Sequence, residues 1–219
     1  MRPAEIGRVL RAHPSGILLG GQLAVVLAYP FLSGSTAGRA FLGVIQVVVV
    51  LSAVAAVRLT PTLSWVGLLL GVPAAVFAVW EAVAPDTDWV VLTSTVFHVP
   101  FYFFVSYSMI RYLFHDDQVT TDEIFATGAA FTVVAWAFAY LYAAVQVLWP
   151  GSFGPHQSWY ELLFLSFTTL TSVGLSDIYP VLGHARSISM IEQVAGVLYV
   201  ALVIARIVGI ASRPRTDDR

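Results

Sequence analysis

The chain has 219 residues, 58% hydrophobic and 11% charged, far from a water-soluble domain, in which about a quarter of residues are charged. Its roughly 127 apolar residues suffice for six membrane spans of about 20 residues each and leave no room for a large soluble domain. A net charge of −2 argues against a nucleic-acid binder, and with no cysteine, thiol catalysis, disulfides and thiolate metal sites are excluded. The composition is that of an all-α integral membrane protein in a lipid bilayer.

The first apolar run, Gly16–Leu32, follows Arg2, Arg8 and Arg11. A cleavable signal peptide is the alternative, but Ala28-Tyr-Pro-Phe-Leu-Ser is a poor cleavage site and further apolar runs follow at once, so it reads as span one. Span two is Phe41–Val57. Span three is Leu63–Val83, opened by Thr60 as cap and Pro61 at the first helical position, with Pro73 expected to kink it. Span four is Trp89–Leu113, with Pro100 as a second expected kink. A voltage sensor repeats arginine along such a helix; this one has only Arg111, at its end. The polar stretch His115–Glu123 ends in Thr120-x-x-Glu123, a capping box that starts span five, Ile124–Trp149. Span six is Ala185–Ala211, and Ser212–Arg219 is expected to be a disordered tail.

Arginine placement orients these spans. With the N-terminus in the cytoplasm, the inner segments hold Arg2, Arg8, Arg11, Arg58, Arg111, Arg213, Arg215 and Arg219. The outer ones hold only Arg39 and Arg186, and Arg206 is expected to snorkel to the inner surface. Both termini are therefore expected in the cytoplasm of a multi-pass protein of the plasma (inner) membrane, with the acidic Pro85-Asp-Thr-Asp88 loop outside.

Between spans five and six, Trp159–Thr171 is helix-like and opens with a second capping box, Ser158-x-x-Glu161. Thirteen residues give about 20 Å of helix, short of the ~30 Å hydrocarbon core. The segment cannot cross, and non-helical backbone at membrane depth survives only inside protein or along a water-filled cavity. The reading is a re-entrant helix that returns as Thr168-Thr-Leu-Thr-Ser-Val-Gly-Leu-Ser-Asp-Ile-Tyr-Pro180.

That returning segment resembles the selectivity filter of tetrameric potassium channels, usually T-x-x-T-[TS]-V-G-Y-G-D, matched here by Thr171, Ser172, Val173, Gly174, Leu175, Ser176 and Asp177. Ala185-Arg-Ser-Ile, Glu192-Gln-Val-Ala-Gly-Val-Leu-Tyr and Ala205-Arg-Ile-Val-Gly209 are similar to the inner helix of bacterial six-span members. The resemblance covers about residues 122–211, some two-fifths of the chain; the first four spans match in number and length only. It implies a non-voltage-sensing four-helix domain over 1–114, a cytoplasmic linker over 115–123, a pore domain over 124–211 and the tail over 212–219. One chain has one such loop, so a closed ring requires a homotetramer.

In such a filter, backbone carbonyls replace the water shell of a dehydrated cation. By resemblance the carbonyls of Ser172, Val173, Gly174 and Leu175 line the ion sites, with Thr171 at the base and the Ser172 hydroxyl completing the innermost site. Asp177 adds negative charge at the outer mouth and would anchor the filter from behind. Two positions depart from the pattern. Ser176 replaces the second filter glycine, where a positive φ would cost a non-glycine residue about 1–2 kcal/mol. Leu175 replaces the aromatic residue, and the matching pore-helix positions, Phe164 and Leu165, offer no hydrogen-bond donor. The expectation is a pathway for potassium and no resident cofactor, with selectivity weakened and sodium open as a second permeant monovalent cation.

Gly196 matches the inner-helix hinge glycine; a small residue for close packing is the equal alternative. Val197, Val200 and Ile204 would face the central cavity, where an apolar ring gates by dewetting. Glu192, inside span six, pairs with a polar group behind the filter, bonds a neighbouring subunit, senses pH or makes a plain structural hydrogen bond. No histidine pair has metal-ligand spacing. Two other classes remain: a non-conducting or regulatory channel relative, and an intramembrane serine hydrolase using Ser176 with His184 or His98. A secondary transporter would show inverted repeats, which the sequence lacks.

Overall fold

Backbone in an apolar solvent must satisfy its own hydrogen bonds, which a helix does within one segment. The structure, a computed structural model, describes residues 14–57, 64–83, 87–114 and 120–211. These residues form seven helices: α1 (Pro14–Leu32), α2 (Thr36–Val57), α3 (Ser64–Val83), α4 (Asp88–Leu113), α5 (Thr121–Leu148), α6 (Trp159–Leu170) and α7 (Gly183–Ala211). Helices α1, α4, α5 and α7 are long and apolar enough to cross a membrane, while α2 and α3 contribute the shorter apolar stretches Val44–Ala53 and Trp65–Glu81 among the described residues.

The helix ends follow local chemistry. α2 begins at Thr36 rather than Phe41 because the Ser35 hydroxyl accepts the Gly38 N–H at 3.0 Å, which caps the helix earlier than hydropathy suggests. The Thr120 capping box forms, with Glu123 N–H donating to Thr120 Oγ1 at 3.2 Å and Thr120 N–H to Glu123 Oε2 at 3.3 Å. Residues 121–123, read from sequence as the end of the linker, are therefore the first turn of α5. Pro73 and Pro100 lie inside α3 and α4, and each helix continues through its proline. The expected Thr60-Pro61 start, most of the polar linker and the tail lie outside the described residues.

Helix α5 is the axis of the fold. It packs on α1, α4, α6 and α7, and residues 135–140 are buried without a break. A helix apolar on every side belongs in the interior, and the alanines at 126, 129, 130, 135, 137 and 139 let its neighbours approach closely. Helices α1 to α4 pack in sequence, and α1 closes back onto α5.

Buried polar side chains join the helices where apolar packing alone discriminates poorly. The Thr132 hydroxyl donates to Gln22 at 2.7 Å, joining α5 to α1. The Gln46 amide donates to Tyr102 at 3.1 Å and to Tyr140 at 3.2 Å, joining α2 to α4 and α5. Ser94 donates to Glu81 at 2.7 Å and lies beside His98, which stacks on Tyr140 at 4.2 Å. Asp122 accepts both the Ser15 N–H at 3.2 Å and the Ser15 hydroxyl at 2.9 Å. Because both donors are buried, Asp122→Ala is expected to destabilise the protein by about 1–3 kcal/mol, read as a lowered thermal midpoint in detergent; an unchanged midpoint would contradict this account of the α1–α5 joint.

Candidate functional site

Helix α6 has twelve residues, about 18 Å long at 1.5 Å per residue, too short to cross a bilayer. Both bonds of its capping box form: Glu161 N–H to Ser158 Oγ at 3.3 Å and Ser158 N–H to Glu161 Oε2 at 2.6 Å. The chain entering it is held by Gln146 of α5, which donates to the Gln157 carbonyl at 2.9 Å and accepts the Gln157 N–H at 2.7 Å. Trp159 packs edge-on to Trp136 with centroids 5.3 Å apart, and Tyr160 stacks on Tyr29 of α1 at 4.4 Å. The start of α6 is thus fixed to both α5 and the peripheral helices.

Its far end is set by α7. Glu192 is fully buried and lies within hydrogen-bond reach of the hydroxyls of Ser166 of α6 and Tyr142 of α5. One turn along both helices, Gly196 presses on the Leu170 carbonyl so closely that an added Cβ would sit 1.8 Å from its oxygen. Ser166 and Leu170 are four apart on α6, as Glu192 and Gly196 are on α7, so the two contacts form matched rungs between faces with the same helical spacing. The geometry gives Gly196 a packing role, by contact with the end of α6.

From this end the chain leaves in non-helical conformation. Thr171 caps α6 with its N–H on Phe167 O, and Ser172 and Gly174 N–H groups turn back to Thr169 O and Thr168 O, both at 3.0 Å. Ser172 has φ +58° and Gly174 φ +64°. The left-handed backbone expected at Ser176 is therefore found at Ser172; among the described non-glycine residues only Ser172 has a positive φ. Ser176 instead accepts the Ile178 N–H on its hydroxyl at 3.1 Å and donates its own N–H to Gly174 O at 3.0 Å, the three-residue pattern of a γ-turn. Asp177 is exposed and makes no hydrogen bond among the described residues, so it does not anchor the segment of its own chain. That anchoring comes from Ser176, from Val181 N–H on Ser152 O at 2.8 Å and from Arg186 Nε–H on Pro180 O at 3.2 Å.

The segment Thr171–Leu175 lies on the surface of the single chain, with Val173 67% and Leu175 76% exposed. Val197, Val200 and Ile204 are exposed on α7. An open concavity of about 580 Å³ joins the two, lined by Thr168, Thr169, Ser172, Gly174, Gln193 and Val197 among others. Below it, Arg206 turns back into the protein: it pairs with Glu123 at 3.5 Å and lies over the Phe114 ring at 5.3 Å, in place of the expected reach to the surface.

Sequence reading passed over Tyr142 and Ser166, whose hydroxyls meet Glu192, and Ser189, whose hydroxyl meets that of Tyr142. The signal was present: a carboxyl inside an apolar span needs partners, and these hydroxyls lie on α5, on α6 and one turn back on α7 itself. Of the two histidines weighed as a base for Ser176, His98 is bonded to Ser94 and His184 stacks on Trp149 at 4.2 Å. Among the described residues no group of three histidine or acidic side chains could hold a metal ion.

The site thus consists of a short capped helix, an exposed irregular segment and a long following helix. Residues 126–213 match the family model described as ion channel. No curated protein and no solved structure matches the chain.

Gly196→Ala is expected to destabilise by at least about 1–3 kcal/mol, the usual cost of overpacking, because its Cβ meets backbone 1.8 Å away. Gly20→Ala, with nothing within 4 Å of its Cβ, is the control and should leave the thermal midpoint unchanged or raised. Equal midpoints in the two variants would refute the packing role.

Proposed function

We propose that the chain is one subunit of a homotetrameric channel that conducts potassium through a ring of backbone carbonyls. The observation that carries this is the positive φ at alternate residues, Ser172 and Gly174, in an exposed segment held on the end of α6. In an extended chain successive carbonyls point to opposite sides; left-handed backbone at every second residue turns them toward one side, where four chains can replace a cation's water shell. The match of residues 126–213 to the ion-channel model supports the same reading. In it, α1 to α5 and α7 are the six spans and α6 the re-entrant helix, whose partly negative C-terminal end favours cations. The carbonyls of Ser172, Val173, Gly174 and Leu175 face the axis, Thr171 lies at the base, and Asp177 is at the outer mouth. Val197, Val200 and Ile204 line the cavity, and both termini lie in the cytoplasm beneath the inner membrane.

One observation favours a second reading, a non-conducting regulatory relative. The Gly174 carbonyl accepts the Ser176 N–H at 3.0 Å, which uses one of the two lone pairs that would serve an ion.

Potassium and sodium flux into liposomes carrying the purified protein tests the two readings, with native mass measurement of the oligomer. The expected result is a tetramer that passes potassium in preference to sodium. Ser176→Gly, which lets that position continue the alternation, should strengthen the preference. A tetramer silent at every voltage and pH tested would favour the second reading, and a monomer would sink both.

A further inference from the structure

The hydroxyl of Ser166 has one proton and two acceptors within reach: the Ala135 carbonyl of α5 at 2.8 Å and Oε1 of Glu192 on α7. The other carboxyl oxygen, Oε2, takes the Tyr142 hydroxyl, which also lies 3.0 Å from Ser189. If Glu192 were ionised, one of the two contacts at Ser166 would bring oxygen against oxygen with no proton between them. Among the described residues no cation is paired with Glu192: its bonds are to the hydroxyls of Tyr142 and Ser166, and of the arginines on the same helix Arg206 pairs with Glu123 at 3.5 Å and Arg186 donates to the Pro180 carbonyl at 3.2 Å. A buried carboxylate without a partner is among the costliest groups a fold can hold.

We propose that Glu192 is held as a neutral carboxylic acid that donates to Ser166 and so closes a hydrogen-bond relay through three helices. Tyr142 donates to Oε2, the acid proton on Oε1 is donated to Ser166 Oγ, and Ser166 donates to the Ala135 carbonyl. Every contact then has its proton. The relay leaves α5 at Tyr142, passes through α7 and α6, and returns to α5 at Ala135, clamping α6 one turn before the exposed segment begins. Glu192 is thus a positioning residue, acting on that segment through Ser166. Its position demands an acceptor and a donor on one planar group, which glutamine supplies and alanine does not.

Infrared difference spectra of the full-length protein in lipid at neutral pH, wild type minus Glu192→Gln, test the proton directly. The expected difference is a C=O band of a neutral carboxyl, lost in the variant. A difference made of carboxylate bands would overturn the proposal. Potassium flux tests the positioning role and rests on the channel reading. Glu192→Gln should stay within about twofold of wild type, and Glu192→Ala should fall roughly tenfold or more as the buried hydroxyls of Tyr142 and Ser166 lose their partner. Glu192→Gln as impaired as Glu192→Ala, in an assembled protein, would also overturn it. Should Glu192→Ala fail to assemble, the spectrum and a Glu192→Gln flux within twofold of wild type decide. If wild type itself passes no ion the channel reading fails, and the spectrum still decides where the proton lies.

Discussion

The position of the exposed segment depends on one constraint, the registration of the last turn of α6 on α7. Two contacts of different kinds set it. At Gly196 the absence of a side chain lets the helix rest on the Leu170 carbonyl, and at Glu192 a buried carboxyl is hydrogen-bonded with the hydroxyl of Ser166. The first is a limit on distance and the second a limit on direction. A helix of twelve residues has too little surface to be positioned by apolar packing alone, and apolar packing among membrane helices discriminates poorly between neighbouring registers. Spacing both contacts one turn apart on both helices removes the freedom to slide or rotate.

Helix α5 carries that constraint outward. It supplies Ala135 and Tyr142 to the relay around Glu192, Gln146 to the entry of α6, and Trp136 to the ring packed on Trp159. The same helix holds the peripheral helices through Thr132, Tyr140 and Asp122. At its first turn, Glu123 both caps the helix and accepts Arg206 from the far end of α7, while Phe114 at the end of α4 receives the same guanidinium on its ring. A displacement of α4 thus meets α7 through one side chain. The four peripheral helices carry no arginine ladder but are joined by polar contacts to the helix on which the exposed segment depends.

Local features were legible in the amino-acid order because their causes are local. Both capping boxes, Thr120 with Glu123 and Ser158 with Glu161, form as their three-residue spacing requires. The short reach of the Trp159 helix follows from its length alone. Hydropathy alone places the start of α2 at Phe41, whereas the Ser35 hydroxyl caps the helix and starts it at Thr36. The strain expected at Ser176 is found at Ser172, since the φ of a residue leaving a helix is set by where its N–H can find an acceptor. Here the acceptors are Thr168 O and Thr169 O, at the end of α6.

By itself the sequence determined the class of protein, the existence of a helix too short to cross, and which residues follow it, because hydropathy, length and capping are properties of contiguous residues. Only the tertiary structure decided what Glu192 and Gly196 touch, that Arg206 turns inward to Glu123, and which residues of the exposed segment adopt left-handed backbone. Those outcomes depend on groups brought together from α5, α6 and α7, separated in the chain by up to dozens of residues. Nothing in a linear pattern says which hydroxyl will stand opposite a buried carboxyl.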